Sequence, residues 1–123
     1  MRYFRPAEFD CHHCGRNQMD EQFLSELDEL RHRCGFPFPI TSGYRCPEHN
    51  QAVSTTGWDG PHTTGRAADV GVRGKQALTV VKVALEMGFT GIGIQQKGAV
   101  RFVHLDNLPN ADRQPRPTIW SYP

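Results

Sequence analysis

Gly60-Pro61-His62-Thr63-Thr64-Gly65-Arg66-Ala67-Ala68-Asp69-Val70 is the stretch that decides how the chain reads. A loop delivers His62, and an apolar strand-like run from Ala67 to Val72 carries Asp69 seven residues later. A second strand-like run, Phe102-Val103-His104-Leu105-Asp106, supplies another histidine. Two histidines and one carboxylate form a three-ligand zinc set, which leaves the fourth position open for water; structural zinc sites are closed by four protein ligands. The stretch therefore predicts one catalytic zinc on His62, Asp69 and His104.

Working outward, residues 1–19 read as an irregular arm, punctuated by Pro6, Gly15 and Asn17 and anchored by Phe4 and Phe9. A helix follows, with Asp20 as N-cap, Phe23, Leu24, Leu27 and Leu30 at helical spacing, and Gly35 and Pro37 as its stop. Pro39 to Arg45 reads as a short strand entering a loop, and Pro47 suits the first turn of a short helix over about 47–53. Residues 54–64 are a loop rich in Ser, Thr, Gly, Asp and Pro. A second long helix over about 75–87 is expected to bury Leu78, Val81 and Leu85, with Gly88 as its stop. Gly91 to Ile94 and Val100 to Asp106 form a hairpin across Lys97-Gly98, with Val100, Phe102 and His104 on one face. The tail, 107–123, shows no periodicity, and Ile119, Trp120 and Tyr122 are expected to pack it down. The pattern reads as one domain, 1–123. Its class is α+β: a small antiparallel sheet with helices on one side and the zinc site at the sheet face.

At 123 residues and net charge +1, with 22% charged residues, the chain has neither the basic stripe of a nucleic-acid binder nor an acidic tail. No apolar run is long enough to span a membrane. Met1 to Pro6 lacks an h-region, so the expectation is synthesis in the cytoplasm without a signal peptide, and a monomer. Of four cysteines, Cys11 and Cys14 have the spacing of half a zinc knuckle, but Cys34 and Cys46 do not form a second close pair. Free thiols are the favoured reading, with a structural metal or a disulfide left open. His12, His13, His32 and His49 have no partner spacing and read as solvated or structural.

Three motifs occur in order: Ser42-Gly43-Tyr44-Arg45-Cys46-Pro47-Glu48-His49-Asn50, then His62-x-x-Gly65-x-Ala67-x-Asp69, then Val103-His104-Leu105-Asp106. Together they resemble the zinc D-alanyl-D-alanine carboxypeptidase family, which includes phage and bacterial peptidoglycan peptidases. The superfamily also contains lysostaphin and the hedgehog signalling domain. The resemblance covers about residues 4–106. It implies zinc on His62, Asp69 and His104 and an active-site role for Arg45, which could stabilise an oxyanion or hold a substrate carboxylate. Ser42 and Tyr44 would line the substrate pocket, against ordinary strand packing. Two positions depart from the family pattern. Gly60 stands where a serine is usual, so that hydroxyl is missing or replaced by Thr63 or Thr64. Arg101 stands where some relatives carry the catalytic carboxylate, leaving Asp106 as the available base or as a partner that orients a ligand.

The implied activity is hydrolysis of the peptidoglycan stem peptide, as a D-alanyl-D-alanine carboxypeptidase or an endolysin-type endopeptidase acting on the wall after release. The other reading is a non-catalytic zinc-containing binding module, since hedgehog domains keep the fold and the metal while serving as binding proteins.

Overall fold

The computed structural model describes all of residues 1–123. Three helices, α1 (Glu21–Cys34), α2 (Pro47–Val53) and α3 (Gly74–Met87), accompany five strands. The strands are β1 (Ile40–Ser42), β2 (Ala67–Val70), β3 (Gly91–Gln95), β4 (Phe102–Asp106) and β5 (Thr118–Ser121), in the sheet order β1-β2-β4-β3-β5. The class is α+β, as the sequence pattern predicts. The β1, β2, β4 and β3 pairings are antiparallel, but β5 joins β3 in parallel, so the sheet is mixed.

Asp20 caps α1 by accepting from the Phe23 backbone N–H at 2.9 Å, which satisfies one of the N-terminal donors that a helix leaves orphaned. One face of the sheet is apolar. Ala68 and Val70 of β2, Ile92 of β3, and Val103 and Leu105 of β4 join Phe23, Leu27 and Leu30 of α1 and Ala77, Val80 and Ala84 of α3 in one buried cluster. Phe4 and Phe9 enter the same cluster, so the N-terminal arm is part of the core. Arg2 fixes the start of that arm, pairing with the buried Asp28 carboxylate at 3.0 Å.

The stripe expected on the second long helix is shifted by one residue. Leu78 is 72% exposed and Leu85 57%, while Ala77, Val80 and Ala84 face inward. One residue is about 100° of helix rotation. With alanine at two of three inward positions, the helix can lie close against α1 and β4. Counting the largest apolar side chains misplaces a stripe in which two of the three inward residues are alanine.

The tail also departs from expectation. Thr118 to Ser121 is a strand, and Ile119 is 63% exposed rather than packed down. Alternate residues Thr118 and Trp120 pair with Gly91 and Gly93, on the sheet face opposite the apolar cluster.

Candidate metal centre and active site

The polar face of the sheet is built by register. Asp69 lies directly opposite His104, and Ala67 opposite Asp106. On the other side of β4, Gly93 faces His104 and Gly91 faces Asp106. A Cβ on Gly91 would overlap the Asp106 carboxylate, and one on Gly93 would come within 2.8 Å of the Trp120 indole. The two glycines of Gly91-Ile92-Gly93 therefore clear the space that Asp106 and Trp120 occupy. His62 reaches the same face from a short 3-10 turn, Pro61–Thr64.

Three ligand atoms converge. His62 Nε2 is 3.2 Å from Asp69 Oδ1, His104 Nδ1 is 3.1 Å from the same oxygen, and the two ring nitrogens are 3.3 Å apart. Tetrahedral bonds of about 2.0–2.1 Å to nitrogen and oxygen give edges of about 3.3 Å. The far nitrogens settle the tautomers. His62 Nδ1 lies 2.9 Å from the Gly43 carbonyl, which only accepts, so this nitrogen donates. His104 Nε2 lies 2.8 Å from Asp106 Oδ2 and donates to it. Both remaining lone pairs then point at the Asp69 carboxylate, an arrangement that calls for a cation. The residues fit zinc, and all three are buried.

The electrostatics agree. Burial alone would raise Asp69, but His62 and His104 hold it well below the usual carboxylate range. Burial would likewise lower His104, but Asp106 and Asp69 raise it above the usual imidazole range. Without metal, the site therefore favours a proton where the metal would sit.

Asp106, expected either as base or as a partner that orients a ligand, shares the ligand face, as its spacing from His104 predicts. Its side chain is completely buried. One oxygen accepts from His104 Nε2, across the ring from the converging Nδ1, and Arg116 grips both oxygens at 2.9 and 2.8 Å. Against the cost of burial, His104 and Arg116 hold its pKa down to about 2. Its contact with His104 Nε2 is the kind that an orienting partner makes.

Arg45 has no carboxylate partner. Its guanidinium donates to Asn50 Oδ1 at 2.9 Å and Ser42 Oγ at 3.1 Å, both neutral, and its backbone N–H donates to the His62 carbonyl at 3.1 Å. No carboxylate pairs with this guanidinium, and the backbone bond of Arg45 ties it to the turn that carries His62. Ser42 serves as a strut for Arg45. Tyr44 is 4% exposed and packs against Cys11, Cys46 and Met19. At Gly60 a side chain would have to displace the Thr56 hydroxyl and would press on Asn50 Nδ2. Of the two threonines that follow, Thr63 donates its hydroxyl to the Gly60 carbonyl and Thr64 to that of Pro61.

Four contributors escaped the sequence reading. Asn50, nearly fully buried, holds Arg45 through its oxygen and the 54–60 loop through its amide. Arg116 clamps Asp106, and Trp120 packs its ring 4.9 Å from His104. Tyr122 meets Phe102 edge to face and feels the Asp69 charge; burial and that charge push its hydroxyl up to about 12. The period-two placement of Thr118, Trp120 and Tyr122 was the available signal for the tail. A cleft of about 840 Å³ opens beside Trp120, between Thr56–Thr64 and Asp112–Trp120, with Asp59 and Arg116 in its lining.

A His/Asp/His cluster on the polar face of an α+β sheet is the residue set of a catalytic rather than a structural zinc site. The family model described as Peptidase M15 matches residues 2–106, and the chain belongs to that zinc-dependent family, of the zinc D-alanyl-D-alanine carboxypeptidase type. No curated protein matches the chain. The matched span ends at Asp106, so Arg116, Trp120 and Tyr122 lie outside it. No helix is long and apolar enough to cross a membrane.

Proposed function

We propose that this chain hydrolyses peptide bonds in the stem peptide of peptidoglycan, as a carboxypeptidase or an endolysin-type endopeptidase. His62, Asp69 and His104 hold one zinc. The observation that carries the proposal is the pair of locked tautomers, which aims two lone pairs and a carboxylate at one point. Zinc, when bound there, supplies Lewis acidity and lowers the pKa of a bound water towards 7.

The chain's own residues supply the rest. Arg45, held flat by Ser42 and Asn50, presents a cation with no carboxylate partner to a substrate carboxylate or a developing oxyanion. Asp106, clamped by Arg116, keeps a proton on His104 Nε2 and fixes its ring. Both Asp106 oxygens are committed. Of the two carboxylates that line the neighbouring cleft, Asp59 and Asp112, Asp59 is three residues before His62 on the delivering loop and is the candidate proton acceptor.

The test is a zymogram on purified cell walls, followed by mass spectrometry of the released fragments. Clearing that a chelator abolishes and zinc restores supports the proposal, and the fragment ends report which bond is cut. A zinc-loaded protein that never clears walls rejects it in favour of the binding module.

A further inference from the structure

Away from this centre, the fold completes the half-knuckle at Cys11 and Cys14. Cys46, distant in sequence, comes to both, so that the three sulfurs lie within 4.8 Å of one another. His13 stands at the edge of this group of three, its Nδ1 3.5 Å from Cys46 Sγ. Tetrahedral zinc bonds of about 2.3 Å to sulfur and 2.0–2.1 Å to nitrogen require a sulfur–nitrogen edge of about 3.5 Å. We propose that Cys11, Cys14, Cys46 and His13 form a second zinc site, closed by four protein ligands and therefore structural.

The surroundings suit thiolates. The Cys46 N–H donates to Cys11 Sγ at 3.3 Å, the His49 N–H to Cys46 Sγ at 3.4 Å, and Arg16 Nε to Cys14 Sγ at 3.3 Å. A neutral thiol is a weak acceptor, so a donor directed at each of three sulfurs fits anions better. Three thiolates around a divalent ion leave one net negative charge, and Arg16 lies against it. His13 is held by its stack on His49, with rings 5.6 Å apart and nearly parallel. Cys11 and Cys46 are buried, and none of the four cysteines is in a disulfide.

The site has a structural consequence for the first centre. It ties the arm to the start of α2, and Cys46 directly follows Arg45. Tyr44 packs on the same sulfurs. A metal here would fix the backbone that carries the guanidinium, with no dependence on what the first centre catalyses.

Elemental analysis of the full chain, purified with zinc, is expected to give two zincs per chain. Cobalt substitution should add an intense thiolate-to-cobalt charge-transfer absorption in the near ultraviolet. Cys46→Ser, or Cys11→Ser with Cys14→Ser, should remove one zinc and that absorption; His62→Ala should remove the other zinc and leave the absorption intact. Because a cysteine variant can misfold, alkylation of the native wild-type protein gives a second readout. Exposed Cys14 should resist the reagent until a chelator is added. One zinc per wild-type chain with no thiolate absorption, Cys14 alkylated equally with and without chelator, or a disulfide among the three would each overturn the proposal. Failure of wall clearing with two zincs bound would count against the peptidase reading alone.

Discussion

Val103 and Leu105 on one face of β4 and His104 and Asp106 on the other are all essentially buried. The physics of that burial is opposite. The apolar pair sits against α1 and α3 residues, where each fully buried side chain of this kind contributes about 1.5–3 kcal/mol. The polar pair would cost stability if left unpartnered. Here no buried side-chain polar atom lacks a partner. Hydrogen bonds run from Arg116 to Asp106, from His104 Nε2 to Asp106 and from His62 Nδ1 to the Gly43 carbonyl, leaving His104 Nδ1, His62 Nε2 and Asp69 Oδ1 turned to one another. One face holds the sheet together; the other spends its hydrogen bonds on aiming lone pairs. A strand with a period of two can do both within five residues.

Breaking the two faces separately should give opposite phenotypes, and this is the largest effect expected. His62→Ala should abolish stoichiometric binding at the His62–Asp69–His104 centre, and wall cleavage with it, while the chain stays folded. Leu105→Ala should lower unfolding stability by about 2–5 kcal/mol, while its folded fraction still binds zinc there and cleaves. Denaturant melts and metal analysis on both variants check the pair. A destabilised His62→Ala that keeps its zinc would erase the distinction.

Arg45→Lys tests whether the polar face presents a charge or a shaped donor. Lysine keeps the cation but cannot donate to Ser42 and Asn50 as a planar fork. If the fork is what substrate meets, kcat/KM should fall by about 100-fold or more, with zinc content and melting unchanged. Wild-type kinetics would reduce Arg45 to a structural strut.

Asp106→Asn separates orienting from proton transfer. Loss of an orienting partner should weaken zinc by about 10- to 100-fold, with the rate restored by excess zinc. A deficit of about 100- to 10,000-fold that persists at saturating zinc would restore Asp106 as the base, and Asp59→Asn should then be nearly silent. The same variant has a pH signature. A carboxylate held near 2 when folded, against about 3.9 unfolded, stabilises the fold fully above about pH 4. That contribution fades as pH falls through about 2. The stability gap between wild type and Asp106→Asn should therefore close in acid, as paired denaturant melts can show.

What the sequence revealed follows the same division. The helix starts and stops at Asp20, Pro47, Gly35 and Gly88 were legible because caps and breakers act locally. That His62, Asp69 and His104 come together was legible because their residue types are scarce and ordered. Two kinds of feature were not. Leu78 and Leu85 outrank Ala77 and Ala84 on any hydrophobicity count, yet the alanines are the buried pair. The roles of Arg116, Trp120, Asn50 and Cys46 depend on pairings across 5 to 35 residues. Only Gly91 and Gly93 hinted that something would lie across β3, and glycines read in isolation suggest turns.

The smallest expected effect lies at the edge of the polar face, in the tail beyond the matched span. Tyr122 presents the last polar group on that face, with a hydroxyl pushed up to about 12 by burial and by the charges of Asp69 and Asp106. It therefore stays protonated throughout the working range and can only add a neutral hydrogen bond to a bound peptide. Such a bond is worth about 0.5–1.5 kcal/mol, so Tyr122→Phe should reduce kcat/KM by roughly 2- to 10-fold. Zinc content and stability should stay as in the wild type, because the ring keeps its contact with Phe102. The pH profile should not change shape below about pH 10. A loss much larger than 10-fold, or a pH limb that disappears in the variant, would place the tyrosine among the groups that exchange protons during the reaction. The polar face would then extend its chemistry onto β5 rather than end at β4.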